Sequence, residues 1–408
     1  MRQSPAALLL VAALVLFDPS ATDAQEPETR AGELRRQREE KSRALKPPKP
    51  GKLEKALLDL ESGRLFERIL NPPEGIYPRI GNISTGSGFS FGPGYRHAGL
   101  FGDRAVFQTF AAASFTRYWM LDARLQFPQL GSRRAGAEVH GQRFDFPNED
   151  FFGLGPDSSR ATYVTYGITN TVVGGSGVYR PARDVSVTGG VDYLNPSIDP
   201  GSGPGRLATV FVASQAPGLF QQPDFFKYEM GVELNRREPR GNPRSGGRYA
   251  VAFQRYEDVD SNRFSFNRVD VDLQQYIPLI RDRRVLALHG RVSMSEPDAG
   301  AEVPFYFMRT LGGPDDLRGF RNLRFRDRHT LLMQAEYRWE IFTAVDGALF
   351  YDAGKVASRL EDLNLRDLES DYGIGFRFGT INSVFLRIEA AFGSRDGRHF
   401  IFRFNNVF

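Results

Sequence analysis

Gly88-Phe89-Ser90-Phe91-Gly92 has the Gly-x-Ser-x-Gly spacing that, on a sharp strand-to-helix turn, exposes a serine nucleophile. Here the serine sits inside an alternating run and no helical pattern follows it, so the turn that chemistry needs is missing. The five histidines, His97, His140, His289, His329 and His399, lie far apart without metal-ligand spacing, and no phosphate loop occurs. A lipase-like site would need serine and histidine on neighbouring strands, and nothing pairs them. The expectation is a protein that is not an enzyme, with no catalytic residue, metal or cofactor. The remaining candidates are charged: Arg318, within Leu317-Arg318-Gly319-Phe320, and the carboxylates Glu336 and Asp352 that follow it.

These residues must be positioned by segments of period two. Leu121, Ala123, Leu125 and Phe127 alternate with Asp122, Arg124 and Gln126; Val269, Val271 and Leu273 alternate with Asp270, Asp272 and Gln274. Leu331, Met333, Ala335, Tyr337 and Trp339 alternate with Gln334, Glu336 and Arg338. Each strand therefore has an apolar face and a charged face. A soluble sandwich buries the apolar face, whereas a transmembrane barrel turns it to lipid, and periodicity alone fits both. The strands run to about ten residues, the length of a tilted span. Aromatics gather at their ends, as at a membrane interface, and the polar faces carry both signs of charge. These features, with an export signal, favour the barrel.

The expectation is an all-β, 16-stranded antiparallel transmembrane β-barrel over residues 78–408. Its strands start near 86, 104, 119, 135, 160, 184, 206, 225, 247, 262, 284, 330, 345, 371, 383 and 398. An even count puts both ends on the periplasmic side and the 296–330 connection, the longest, outside.

The N-terminus reads differently. Arg2, the apolar run Ala6 to Phe17 and the small residues before Ala24 make residues 1–24 a secretory signal peptide. That run is too short to span as a helix, which needs roughly 20 residues, and a mean hydropathy of −0.38 excludes a helical membrane protein. Residues 25–77 read as a charged, proline-containing periplasmic linker with a short amphipathic helix over about 52–68. The helix fits on the membrane surface or in the barrel mouth, and a loosely packed helix with no role fits the pattern equally well. Cysteine is absent and the formal charge is +4, spread along the chain, so no nucleic-acid partner is expected.

Leu311-Gly312-Gly313 followed by Leu317-Arg318-Gly319-Phe320 resembles the sixth outer loop of the BamA/TamA family, the bacterial surface-antigen type of outer-membrane barrel. That motif reads Val/Ile-Arg-Gly-Phe/Tyr, so Leu317 is a mild departure. Ala335-Glu336-Tyr337-Arg338, Phe350-Tyr351-Asp352-Ala353-Gly354 and Gly373-Ile374-Gly375-Phe376-Arg377 resemble the family strands that follow, in order, and Phe152-Gly153-Leu154-Gly155-Pro156 with Asp157-Ser158-Ser159 resembles a connection common in such barrels. Family members usually carry periplasmic POTRA domains; residues 25–77 show no such pattern, and roles that need POTRA domains are thereby weakened.

The resemblance implies that the long outer loop folds into the lumen. Glu336 shares the lumen parity of its strand with Gln334 and Arg338, and Asp352 that of Asp346 and Phe350, so an inner loop brings Arg318 to Asp352 and Glu336. Gly319 would permit close backbone approach and Phe320 would wedge against the wall. Phe402, Phe404 and Phe408 resemble the C-terminal assembly signal of outer-membrane proteins, read by strand addition. The family's weakly paired first and last strands imply a lateral seam, here with Gly86, Gly88, Gly92 and Gly94 on the first strand. Relief of crowding explains these glycines equally well.

Two functions follow: a barrel that assists insertion or translocation of protein or lipid at the bacterial outer membrane, or a passive or gated pore with only a structural role. Implied partners are outer-membrane lipid, the barrel assembly machinery during biogenesis, and a separate periplasmic partner or client protein.

Overall fold

The computed structural model describes residues 74–199, 205, 207–280, 283–342, 344–379 and 384–403. The signal peptide, nearly all of the linker, its amphipathic helix, and Phe404 and Phe408 lie outside the described residues.

The strands are β1 (Gly75–Gly81), β2 (Ser90–Gly99), β3 (Ala105–Ser114), β4 (Trp119–Phe127), β5 (Ala135–Phe151), β6 (Val164–Ala182), β7 (Val185–Asp199), β8 (Phe225–Asn235) and β9 (Gly246–Asp258). They continue as β10 (Phe266–Ile280), β11 (Arg284–Pro297), β12 (Arg309–Leu311), β13 (Phe325–Asp327), β14 (His329–Phe342), β15 (Val345–Ala357), β16 (Glu369–Gly379), β17 (Val384–Ser394) and β18 (Gly397–Arg403). All but β12 and β13 form one 16-stranded antiparallel sheet in which each strand pairs with its neighbour in sequence, β11 pairing directly with β14. Among the described residues no ladder joins β18 to β1.

The burial pattern decides between sandwich and barrel. On β15, Leu349 and Tyr351 are 49% and 51% exposed while Phe350 and Asp352, on the opposite face, are buried. Phe400 on β18 is 84% exposed and Arg387 on β17 is buried. Apolar side chains face out and charges face in, the inverse of a soluble core and the pattern of a barrel in lipid. Outward residues of β4 run Trp119, Leu121, Ala123, Leu125, Phe127, aromatic at both ends, as expected of one span with an interfacial girdle.

The count of sixteen holds, with two corrections. The first strand is β1 at Gly75, not a strand near 86, because Ile76, Pro78 and Ile80 pair with Tyr95, Pro93 and Phe91. No strand starts at 206: Leu207–Val210 is a short helical turn in the β7–β8 connection. Its apolar residues are used locally, with Leu207, Phe211, Ala216 and Leu219 packing on Phe151, Val164, Tyr166 and Phe305. Burial in a loop cluster competes with alternation, and the cluster wins.

The connection between β11 and β14 enters the lumen. The two-stranded ribbon β12–β13 closes its base. Gly312 and Gly313, with φ of 109° and 111°, turn the chain at its tip. Leu311, Leu317, Phe320 and Phe325 from the loop bury against Leu332 of β14 and Val356 of β15. Burying such side chains contributes roughly 1.5–3 kcal/mol each, which gives the loop an apolar anchor inside a polar lumen.

The candidate functional site: an ion-pair cluster around Arg318

The turn at the loop tip is tight. Gly313 donates to the Leu317 carbonyl at 3.2 Å and Phe320 to the same oxygen at 3.1 Å. This fold aims Arg318 at the wall of β14–β17. Its Nε and Nη2 donate to Asp352 at 2.7 and 2.8 Å, a bidentate fork, and Nη1 donates to Glu336 and to Glu389, each at 3.0 Å. The guanidinium carbon lies 3.4 Å from the Phe350 ring centroid, so one face is stacked while the edges are bonded. Arg318, Glu336 and Asp352 are fully buried. Burial alone would lower the Arg318 pKa; the carboxylates of Asp352, Glu389 and Glu336 overcome it and hold it well above the ordinary value. The arginine therefore stays charged.

Glu336 and Glu389 each have a further cation, while Asp352 accepts from the Gln334 amide at 3.2 Å. Glu336 accepts from Arg338 Nε at 2.7 Å and pairs closely with Arg377, and Glu389 accepts from Arg387 at 2.8 Å. Arg387 continues to Asp315 at 3.0 Å, and Asp315 accepts from Arg403 on β18 at 2.8 Å. The network runs from β14 to β18, through the loop. A desolvated network of this kind contributes little beyond an apolar core when complete but is costly to break from one side.

Gly319 sits against β16. A methyl group at its Cα would lie 2.5 Å from Asp371 Cβ and 3.2 Å from Ser394 Cβ. Close approach, rather than an unusual backbone angle, is what requires glycine there. Phe320 is buried and meets Phe325 edge-on, with ring centroids 5.2 Å apart. The Phe-x-Asp-x-Gly segment of β15 has a parallel logic. Phe350 supplies the stacking ring, Asp352 the fork, and Gly354 leaves room for the Leu331 carbonyl of β14, which a side chain would meet at 2.7 Å.

The structure thus brings Leu317, Arg318, Gly319, Phe320, Glu336 and Asp352 into one place. It does not do so for the glycines. Gly86 and Gly88 lie in the β1–β2 connection, and Gly92 and Gly94 lie on β2, so none is on the first strand. Gly94 sits under the Tyr77 ring and Gly92 against the Ala111 carbonyl of β3; side chains there would meet those atoms at 2.3 and 1.8 Å. The pair relieves crowding between strands. Phe402 faces outward on β18, 60% exposed.

A family model, the Omp85 superfamily domain, matches residues 90–405. The chain belongs to the Omp85 superfamily. Among solved structures, BamA from Haemophilus ducreyi lacking POTRA domains 1–3 matches with a TM-score of 0.61 at 15% identity, over 81% of this chain and 69% of that one. CdiB from Acinetobacter baumannii matches at 0.51 and 14% identity, over 80% and 58%, and CdiB from Escherichia coli at 0.52 and 12%, over 81% and 62%. The chain spans less than two thirds of either CdiB. At these identities the likeness is one of fold. The protein is an Omp85-type outer-membrane β-barrel.

In this Omp85 barrel, sequence reasoning missed Glu389, Arg377, Arg387, Arg403 and Asp315. A signal existed: Arg387 and Glu389 stand between Leu386, Ile388 and Ala390, at the parity of a lumen face. The Phe152–Pro156 segment also docks on the loop, with Gly155 donating to the Arg326 carbonyl at 3.0 Å and Arg324 donating to the Ser158 hydroxyl at 2.8 Å.

Proposed function

We propose that this protein resides in the bacterial outer membrane and, without catalytic chemistry, assists insertion or translocation of protein or lipid at the seam between β1 and β18. The inner loop holds the barrel in its resting state. The observation that carries this reading is the placement of Arg318: one loop cation bonds Glu336, Asp352 and Glu389, on β14, β15 and β17, and the same network reaches β18 through Asp315. A loop so placed couples its own release to the last hairpin of the sheet. Outer-membrane lipid surrounds the wall, the barrel assembly machinery inserts the nascent barrel, and a separate periplasmic polypeptide presents the client.

A second reading, a gated pore, is favoured by one observation. The lumen wall carries further ion pairs that the Arg318 cluster does not include, Arg124 with Asp122 at 2.9 Å and Arg248 with Glu233 at 2.8 Å. Reconstitution in vesicles separates the two. Assembly of a client barrel at rates above empty vesicles is expected; ion conductance without assembly would replace the first reading with the second.

A further inference from the structure

The outer wall of β2–β6 carries a shallow groove of about 700 Å³. Its floor is made of small residues from three adjacent strands, Ala111, Ala123 and Gly141, at outward positions. Leu121 and Val173 form its sides. At one end stands Arg143, an exposed cation on a face that is otherwise turned to lipid. Register places it between Leu121 on β4 and Thr171 on β6, one outward pair below Trp119 and Asp145. Its Nη1 donates to the Thr171 hydroxyl at 2.8 Å, and among the described residues no carboxylate pairs with it.

A charge on the lipid face of a barrel is destabilising at the centre of the span and tolerated towards the interface, where an anionic headgroup can meet it. Trp119 follows the β3–β4 connection, at the same end of the barrel as the inner loop. On the outer-membrane reading above, on which this inference rests, that end faces the outer leaflet. We propose that the groove is the seat of a phosphate-bearing acyl lipid of the outer leaflet. One acyl chain lies over Ala111, Ala123 and Gly141, and the phosphate is held by Arg143 with Thr171 beside it. A guanidinium binds phosphate through parallel N–H donors, and a trough with a floor of small residues between larger sides matches a flexible chain better than a flat wall does. Asp145 sits beyond the headgroup, towards the rim.

The test uses the folded barrel in phosphatidylcholine nanodiscs doped with lipid A or with lipid A stripped of its phosphates. Native mass spectrometry then counts the lipid retained. The wild type is expected to retain the phosphorylated form preferentially. Arg143→Gln is expected to lose that preference by about tenfold, the loss of one charge-assisted bond. It removes a charge from the lipid face, so folding is not endangered, and the gel mobility of unheated samples verifies this. Gly141→Leu, whose Cβ would meet no atom within 4 Å, should reduce retention of both forms by filling the floor. Equal retention of both lipids by the wild type, or a preference undiminished in Arg143→Gln, overturns the proposal. Fractionation is read separately: a protein absent from the outer membrane defeats the functional reading, whereas lipid preference in nanodiscs decides the groove.

Discussion

The Arg318 guanidinium bonds Glu389 at 3.0 Å across 71 residues of chain, using the same nitrogen that bonds Glu336. With the Asp352 fork this makes one loop side chain common to three strands. Arg318→Ala strips a buried cation from three carboxylates, and breaking a buried pair from one side costs roughly 3–5 kcal/mol. Residues 310–330 should become sensitive to limited proteolysis in the folded barrel. Arg318→Lys should restore little, because an ammonium cannot serve a fork and two further oxygens in one plane. A loop as protected in Arg318→Ala as in the wild type would remove the cluster from any gating role.

Asp352→Ala and Arg318→Ala remove the two sides of one interaction. Their effects on loop protection should therefore coincide, and the double variant should be little worse than either single one. Simple addition of the two effects would mean that Arg318 and Asp352 act independently.

Gly319→Ala tests steric fit without touching a charge. The new methyl would lie 2.5 Å from Asp371 Cβ, backed by the strand rather than by a flexible tip. Overpacking of this kind costs typically 1–3 kcal/mol. The variant should show a loosened loop although every ion-pairing group remains. Adding Asp371→Gly removes the opposing carbon and should return protease protection towards wild type; no recovery would place the defect elsewhere.

The alternation that made this barrel legible records only which side chains face lipid. It gave strand existence, parity and the inward direction of Glu336 and Asp352, because those follow from a pleat of period two. It gave less where a local cluster claimed the apolar residues, as at Leu207 and Phe211, or where proline and glycine masked a short strand, as in Gly75–Gly81. Glu389 and Asp315 lay beyond it for a different reason. Parity says that a residue faces the lumen, but not how far a loop reaches across it, and Arg318 spans from β14 to β17 only because Gly319 seats the loop against β16. The glycines of β2 show the converse error: a Gly-rich strand resembles a weak seam until the Tyr77 ring is found packed over Gly94.

Deleting Phe408 should lower the yield of folded barrel in the outer membrane, scored as the fast-migrating band of unheated samples. The reason lies in the sequence: Phe400, Phe402, Phe404 and Phe408 share one parity, and an edge strand with that face is the substrate for strand addition. Undiminished folded protein after deletion would exclude Phe408 from the signal.

Asp315 offers the sharpest test of how the loop is joined to the end of the sheet. Its carboxylate accepts from Arg387 on β17 at 3.0 Å and from Arg403 on β18 at 2.8 Å, while Arg318, three residues on, is engaged with β14, β15 and β17. Asp315→Asn keeps the shape and removes the charge that holds two cations together. Arg387 retains Glu389 and the Pro314 carbonyl at 3.3 Å, so β17 should be little affected. Among the described residues Arg403 makes no other ion pair, and its strand is the last of the sheet. Hydrogen exchange should therefore accelerate in β18 and remain unchanged in β14 and β15. Arg318→Ala should produce the opposite balance, with the loop and β14–β15 affected first. If Asp315→Asn accelerated exchange equally across β14 to β18, the network would be a single unit, and the last strand would have no latch of its own.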